Sequence, residues 1–180
     1  MSYVAPPTFT AATTAAAADV QVLSDDIAWL KAFADAQAGS GVSLLKGTST
    51  SIATATYTTL SWVSAPVDIT GWWTSGTDIV VPAGAIPAGA TTIGIHIDAM
   101  VKFAANASGA RQLRMLNNGT AFWTGGAAAI DGSNTMLLTG GTVTTVAAAD
   151  VITIEANQSS GGSLNVTEAR VAVARLGVAS

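Results

Sequence analysis

Thr91–Phe103 reads TTIGIHIDAMVKF, and this segment decides the predicted fold. Apolar residues occupy every odd position from 93 to 103, while His96, Asp98 and Lys102 stand at even positions. Successive side chains of a β-strand point to opposite faces, so this period of two predicts one long strand. One face of that strand is buried and branched, and the other strands predicted beyond residue 50 pack against it.

The rest of the chain beyond residue 50 is predicted to form about eight to ten short strands with turns between them and no helix. That succession is typical of a sandwich or barrel, and the mixture of long and short strands favours a jelly roll. Pro66 is predicted to break one strand region, and Gly140-Gly141 another. The last strand changes phase, which either a bulge near Glu168–Ala169 or burial of both faces explains.

Asn118-Gly119 is the strongest short hairpin signal in the chain, because both residues accept the backbone angles of a tight turn. With these two residues as the turn, Met115 faces Phe122 across the ladder, and Arg114 faces Trp123. The sequence therefore predicts Met115 and Phe122 in the core. It also predicts a cation–π contact between Arg114 and Trp123 on the opposite face.

The composition indicates an assembly and excludes several functions. Charged residues make up 10% of the 180-residue chain, against about 25% in an average globular protein. So few charges predict a surface largely hidden in an assembly; the alternative is a secreted or virion protein coated with Thr and Ser. The absence of Cys excludes disulfides and thiolate metal sites.

The net charge and the hydropathy pattern argue against two classes of partner. The net charge is −4 and the isoelectric point is about 4.6, whereas nucleic-acid binding needs clustered Lys and Arg. No apolar run reaches the about 18 residues that a membrane span requires. Neither a nucleic acid nor a membrane is therefore expected as a partner.

The chain is predicted to have four parts. Residues 1–13 form an extended N-terminal arm, residues 14–38 form an α-helix, residues 39–49 form a linker, and residues 50–180 form the β-sandwich. Thr14 is the predicted N-cap of the helix, and Gly39 is its predicted C-terminal stop.

Two apolar patterns mark the predicted helix. An a/d heptad seam predicts a short trimeric coiled coil, and it consists of Val20, Leu23, Ile27 and Leu30. The alternative is an ordinary amphipathic helix packed on its own domain. A second apolar patch predicts anchoring to a capsid or other partner protein, and it consists of Val22, Trp29 and Phe33.

The sequence predicts no catalytic residue, no cofactor-binding residue and no metal ligand. His96 and Asp98 share a strand face, but no nucleophile motif accompanies them, so an interface or surface role is expected. The loop of residues 131–134 carries oxygen donors for calcium without the rest of an EF-hand pattern. Trp72 and Trp73 stand among turn residues and are the candidates for stacking on a host glycan.

Several motifs in a fixed order resemble the C1q/TNF-like jelly roll found in phage virion proteins. They are Val81-Pro82, the long strand ending at Phe103, Gly109-Ala-Arg111-Gln-Leu113, and Asn118-Gly119. The resemblance spans residues 50–178, and it departs from the family where Pro82-Ala-Gly84 lacks a following aromatic residue. The Pro/Thr arm and the Asp-Asp-Ile-x-x-Leu helix resemble the N-terminal regions of phage head and tail appendages.

The resemblance implies a homotrimeric structural protein at the virion surface, without enzymatic activity. Its expected role is that of a capsid decoration or head-fibre protein. The N-terminal arm and helix would hold it to the major capsid protein or to a tail protein. The alternative is a tail-fibre or tail-tip protein whose jelly roll binds host glycan, and a tail-associated glycan hydrolase is a third reading.

Overall fold

The computed structural model describes residues 40–46, 48–129 and 135–179. The predicted arm and helix, with their heptad seam and anchoring patch, lie outside the described residues, as does the 131–134 loop. Residues 39–180 form one compact unit. In that unit, the described residues contain a single short helical element, the 3₁₀ helix Ala83–Ala85. The mainly-β prediction is confirmed.

Eleven strands form the described body. In chain order they are β1 (Gly41–Lys46), β2 (Thr50–Ile52), β3 (Thr58–Thr59), β4 (Ser64–Ile69), β5 (Ile79–Val80), β6 (Thr92–Phe103), β7 (Ala110–Asn117), β8 (Thr120–Ala128), β9 (Met136–Ala147), β10 (Val151–Gln158) and β11 (Leu164–Ala179).

The strands lie in two antiparallel sheets that face each other. The first sheet has the order β4-β1-β11-β6-β9, with β2 beside β11. The second has the order β3-β10-β7-β8, with β5 beside β10. Consecutive strands thus alternate between sheets in places, as a jelly-roll sandwich requires.

The predicted long strand is β6, and it occupies the interior of the first sheet between β11 and β9. Its odd-numbered side chains are buried, with Ile93, Ile95 and Phe103 at 0% exposure. They meet Met115 and Ile154 of the second sheet in one continuous core. The alternation read from the sequence therefore gives both the strand and its buried face.

The predicted linker is wrong where it covers β1. Gly41–Lys46 pairs with β11 on one side and with β4 on the other, so it is an interior strand of the first sheet. Val42 and Leu44 are buried in the core. Gly41 is required at its position because an added Cβ would lie 2.2 Å from the carbonyl oxygen of Val173. The body begins at β1 and not at residue 50.

Pro66 does not break its strand, contrary to the prediction. It lies inside β4, which is an edge strand of the first sheet. Proline is tolerated at a sheet edge because its missing N–H removes no ladder hydrogen bond there. The pairing of β4 with β1 shifts between Ser43 and Leu45, which is the irregularity that accommodates it.

The Asn118-Gly119 hairpin forms as predicted, but its register was wrong beyond the first pairs. A bulge between Met115 and Leu116 places Met115 opposite Trp123, and Arg114 opposite Thr124. One extra residue in a strand exchanges the partners of every later position. The predicted Arg114–Trp123 contact is therefore absent.

Gly140-Gly141 does not interrupt β9 either. Glycine is needed at position 140 because the Trp123 side chain lies against it. The Trp123 indole reaches from β8 to β9 and lies 2.0 Å from where a Cβ on Gly140 would stand. The indole packs against the core at the edge where the two sheets approach each other. Gly140 is thus a close-approach glycine within a continuous strand.

We expect Gly140→Val to destabilise the body by about 1–3 kcal/mol, because the added side chain overpacks against the Trp123 indole. Urea denaturation measures the change. The double variant Gly140→Val/Trp123→Leu should recover part of the loss, since the clash is removed. Equal stability of Gly140→Val and the parent protein would show that the Trp123 indole can adopt another conformation that avoids the valine.

A bulge in β11 is confirmed. The pairing of β11 with β6 shifts between Val166 and Glu168, within two residues of the predicted position, and shifts again between Arg175 and Gly177. The first shift lets Val166 and Val171 both face the core despite their opposite parity.

Asp150 clamps the hairpin turn to the neighbouring turn between β9 and β10. Its carboxylate accepts hydrogen bonds from the Ala147 N–H and from the side-chain amides of Asn117 and Asn118. Burial alone would raise the pKa of Asp150, but these three hydrogen bonds outweigh it and hold the pKa below its ordinary value.

The depressed pKa of Asp150 predicts acid-sensitive stability. The unfolded carboxyl titrates at about 3.9, so the stabilisation is complete above that pH and is lost as the pH falls through the lower folded pKa. We expect Asp150→Asn to unfold at lower urea concentration at pH 7, with the difference narrowing below about pH 4. Asp78→Asn is the control. An equal effect of both variants at pH 7 would contradict the stabilising role of the Asp150 hydrogen bonds.

Candidate functional site: the outer face of the first sheet

Exposed apolar side chains are concentrated on one face of the body. Among the described residues, seven large apolar side chains are exposed. Five of them lie on the face of the first sheet that points away from the core, and they are Val67, Ile69, Leu137, Val143 and Leu176. We call this surface the outer face of the first sheet.

The middle of this outer face is built from small residues. Asp98 of β6 lies between Gly141 of β9 and Ala172 of β11, and Ala172 is followed by Ser43 of β1. Short side chains leave a shallow depression of about 360 Å³, which Met100 and Arg170 border on one side. A strip of small residues across a sheet allows another surface to approach closely.

The charged groups of the outer face are few and largely paired within the chain. Arg170 contacts Glu168 at 3.0 Å, and Lys102 stands opposite Glu168 in the ladder. His96 Nδ1 lies 3.3 Å from Asp98 Oδ2, with 42% and 62% of the two side chains exposed. Apolar and small residues with few uncompensated charges are typical of a protein–protein interface core.

The outer face of the first sheet, as the described residues form it, offers an open contact area. Within the part of the chain that the structure describes, no three His, Cys, Asp or Glu side chains are close enough together to hold a metal ion. The depression is open and shallow, whereas sites for small substrates are enclosed and lined with convergent polar groups. The arrangement suits contact with another protein surface.

The two predicted glycan-stacking residues have different surroundings. Trp72 is 0% exposed, and its indole N–H donates a hydrogen bond of 2.9 Å to Ser40 Oγ. No ring face is left for a sugar, so the prediction is wrong for Trp72. Trp73 is half-buried, and its indole N–H donates to the Gly76 carbonyl at 3.3 Å. The prediction for Trp73 stays a prediction.

A polar and aromatic network lies on the opposite side of the body, on the outer face of the second sheet. Arg114 stacks 3.7 Å from the centre of the Tyr57 ring and forms an ion pair with Glu155. Thr59 donates a hydrogen bond to Glu155, and the Tyr57 hydroxyl donates to Gln112. Sequence reasoning missed this network because β7, β10 and the segment before β3 bring it together only in the folded sheet.

Sequence reasoning also missed the apolar residues of the outer face. Leu137 and Val143 are both at odd positions of β9, so the strand period of two places them on one face. Leu137 stands between Met136 and Leu138, so no apolar–polar alternation shows which face points outward. His96 and Asp98 do lie on this surface, side by side, as expected for a surface or interface pair.

The fold is that of a TNF/C1q-like jelly roll. Murine APRIL superimposes with a TM-score of 0.57 at 14% identity, covering 77% of this chain and 99% of that chain. A vertex protein of phage PRD1 gives 0.53 at 18% identity, covering 76% and 96%. The globular domain of zebrafish complement 1qA protein gives 0.50 at 10%, covering 78% and 98%.

Identities this low show a shared fold, so the predicted resemblance to C1q/TNF-like domains is confirmed at the level of fold. No family description and no curated protein matches the sequence. Among the residues that the structure describes, there is no helix of the length and apolarity needed to cross a membrane.

Proposed function

We propose that this chain is a homotrimeric structural protein on the surface of a phage virion. Its jelly-roll bodies associate through the outer face of the first sheet and project from the particle. The N-terminal residues 1–38 attach it to the major capsid protein or to a tail protein. The role that fits best is capsid decoration or head fibre, done by binding and without enzymatic activity or a redox or organic cofactor.

The observation that carries the proposal is that five of the seven exposed large apolar side chains of the described residues lie on one sheet face. Monomeric proteins rarely leave large apolar patches open to water, and such patches mark interaction sites. Val143 at 61% exposure and Leu137 at 54% have no covering element among the described residues. In a closed ring of three chains, a neighbouring copy covers them through a heterologous contact, in which two different parts of the surface meet.

The low charge and the fold support the same proposal. Charged residues are 10% of the chain, which suits a protein with much of its surface in contacts. Among the structures that share its fold is a phage vertex protein. Because a shared fold does not carry function by itself, the virion role rests on this likeness together with the outer face.

Removing residues 1–38 is expected to separate assembly from attachment. The truncated body keeps β1 and the whole core, so we expect it to fold and to remain trimeric by light scattering. Mixed with particles that lack the native protein, it should not sediment with them, whereas the full chain should. Unchanged attachment of the truncated body would place the anchor in the jelly roll.

A second candidate function is recognition of a host-surface glycan by a tail-fibre or tail-tip protein. The half-buried Trp73 and the Tyr57–Arg114 stack favour it, since aromatic rings with polar neighbours can contact sugars. Binding of the trimer to purified host polysaccharide, lost in Trp73→Ala or Tyr57→Ala, would support this candidate over a purely structural role.

A further inference from the structure

His96 and Asp98 present two metal-binding side chains to the outer face of the first sheet. They stand two positions apart on β6, so their side chains leave the sheet on the same side. Nδ1 of His96 and Oδ2 of Asp98 are 3.3 Å apart. Ligands bound at about 2.1 Å to one ion stand about 3.0–3.4 Å from each other, so the pair already has the spacing of neighbouring ligands.

The neighbours of the pair on the sheet leave room for both side chains. Gly141 lies beside Asp98, and a Cβ there would stand 2.1 Å from the Asp98 carboxylate, so glycine leaves room for it. His96 stands between Val143 and Ala174 in the ladder, and neither can compete for its ring nitrogens. Arg170, which lines the same depression as Asp98, is paired with Glu168.

Assembly through this face makes the pair expensive to bury without a cation. Covering the face moves Asp98 out of water and among Ala172, Ala174 and Val143, and it brings equivalent carboxylates of other copies closer. Several buried like charges cost several kcal/mol unless cations neutralise them. A monomer supplies only two donors, whereas threefold symmetry supplies six, three imidazole nitrogens and three carboxylate oxygens.

We propose that the His96–Asp98 pairs of three chains enclose one divalent metal ion on the axis of the assembly. This inference rests on the proposed homotrimer, because the site is incomplete in a single chain. Six donors of this kind suit an octahedral first-row ion such as Ni²⁺ or Fe²⁺. Imidazole ligands disfavour Ca²⁺ and Mg²⁺, which prefer oxygen donors.

The test uses the full-length protein, stripped with a chelator and then dialysed against Ni²⁺. After removal of free metal, we expect about one Ni²⁺ per three chains by mass spectrometry. His96→Gln and Asp98→Asn should each weaken Ni²⁺ retention at least about tenfold. Lys102→Gln, which changes the same face of the same strand, is the matched control and should retain the metal. Excess Ca²⁺ should not displace it.

Light scattering on the same samples distinguishes a failure of the metal site from a failure of the proposed homotrimer. A trimer that retains no Ni²⁺, or one that binds an ion per chain independently of His96, overturns the metal site and leaves the proposed function standing. A monomer under all conditions overturns the homotrimer and the site with it.

Discussion

In the proposed homotrimer, Ala172→Glu is expected to cause dissociation into monomers. Ala172 lies in the middle of the outer face of the first sheet, beside Asp98, and its small side chain forms part of the depression. Glutamate there fills the space that a neighbouring copy needs. It also adds a second negative charge next to Asp98 in each chain.

The expected effect is large because both consequences act at the centre of a contact surface. Like charges brought together in an interface cost several kcal/mol. We therefore expect the dissociation constant of the assembly to rise at least about 100-fold. The folded body itself should be little affected, because Ala172 is exposed in the single chain.

Light scattering at micromolar protein gives the mass directly, and far-ultraviolet circular dichroism confirms that the variant is folded. Ala128→Glu is the matched control. It makes the same exchange at an exposed position of β8 in the second sheet, and it should keep the mass of the parent protein. Dissociation by Ala128→Glu and not by Ala172→Glu would indicate that the interface lies on the second sheet.

Arg111→Met is expected to lower the free energy of unfolding by about 3–5 kcal/mol. Arg111 is 0% exposed, although it is charged. Its guanidinium donates hydrogen bonds to the carbonyl oxygens of Asn106, Ser108 and Ala110. It also lies 5.9 Å from the centre of the Phe103 ring, at the end of β6.

Those contacts explain why arginine at this position holds the turn between β6 and β7. Methionine has a similar length, so it fills the space but leaves the carbonyl groups of Asn106 and Ser108 without this donor. The Ala110 carbonyl keeps its hydrogen bond from the Ser159 backbone N–H. The loss is a large share of the about 5–15 kcal/mol that stabilises a typical domain. Burial lowers the pKa of Arg111, yet an arginine side chain stays protonated in proteins.

Urea denaturation of the two variants Arg111→Met and Arg170→Met measures the difference. Arg170 makes an exposed ion pair with Glu168 on the protein surface, and such pairs contribute about 0–1 kcal/mol. The Arg170 variant should therefore unfold close to the parent protein. A small effect of Arg111→Met would mean that water replaces the guanidinium in the turn.

The Gly109-x-Arg111 motif helped to predict the fold, but its contacts could not be predicted from the sequence. The order of such motifs resembled a C1q/TNF-like jelly roll, and the fold agrees with that resemblance. What the motif does could not be read from the sequence, because its partners are backbone carbonyls and Ser159. A Cβ on Gly109, whose φ is +73°, would lie 2.1 Å from the Ser159 carbonyl oxygen.

Three of the mistaken details share one physical cause. The linker prediction for β1 and the breaks at Pro66 and Gly140 were judged from local composition, but a distant part of the chain decided each outcome: β11 paired with β1, the sheet edge tolerated Pro66, and Trp123 required Gly140. The hairpin register had a different cause, the local bulge between Met115 and Leu116. Local propensity is a weak guide where pairing between strands far apart in sequence supplies the free energy.

The sequence by itself determined the alternation of β6, the Asn118-Gly119 turn and the all-β character of the body, because these follow from backbone geometry within a few residues. Only the tertiary structure decided that Trp72 is buried and that Val67, Val143 and Leu176 share one exposed face. Burial depends on which sheet lies above a residue, and that is set by strand order. The candidate interface could therefore be recognised only in the folded sheet.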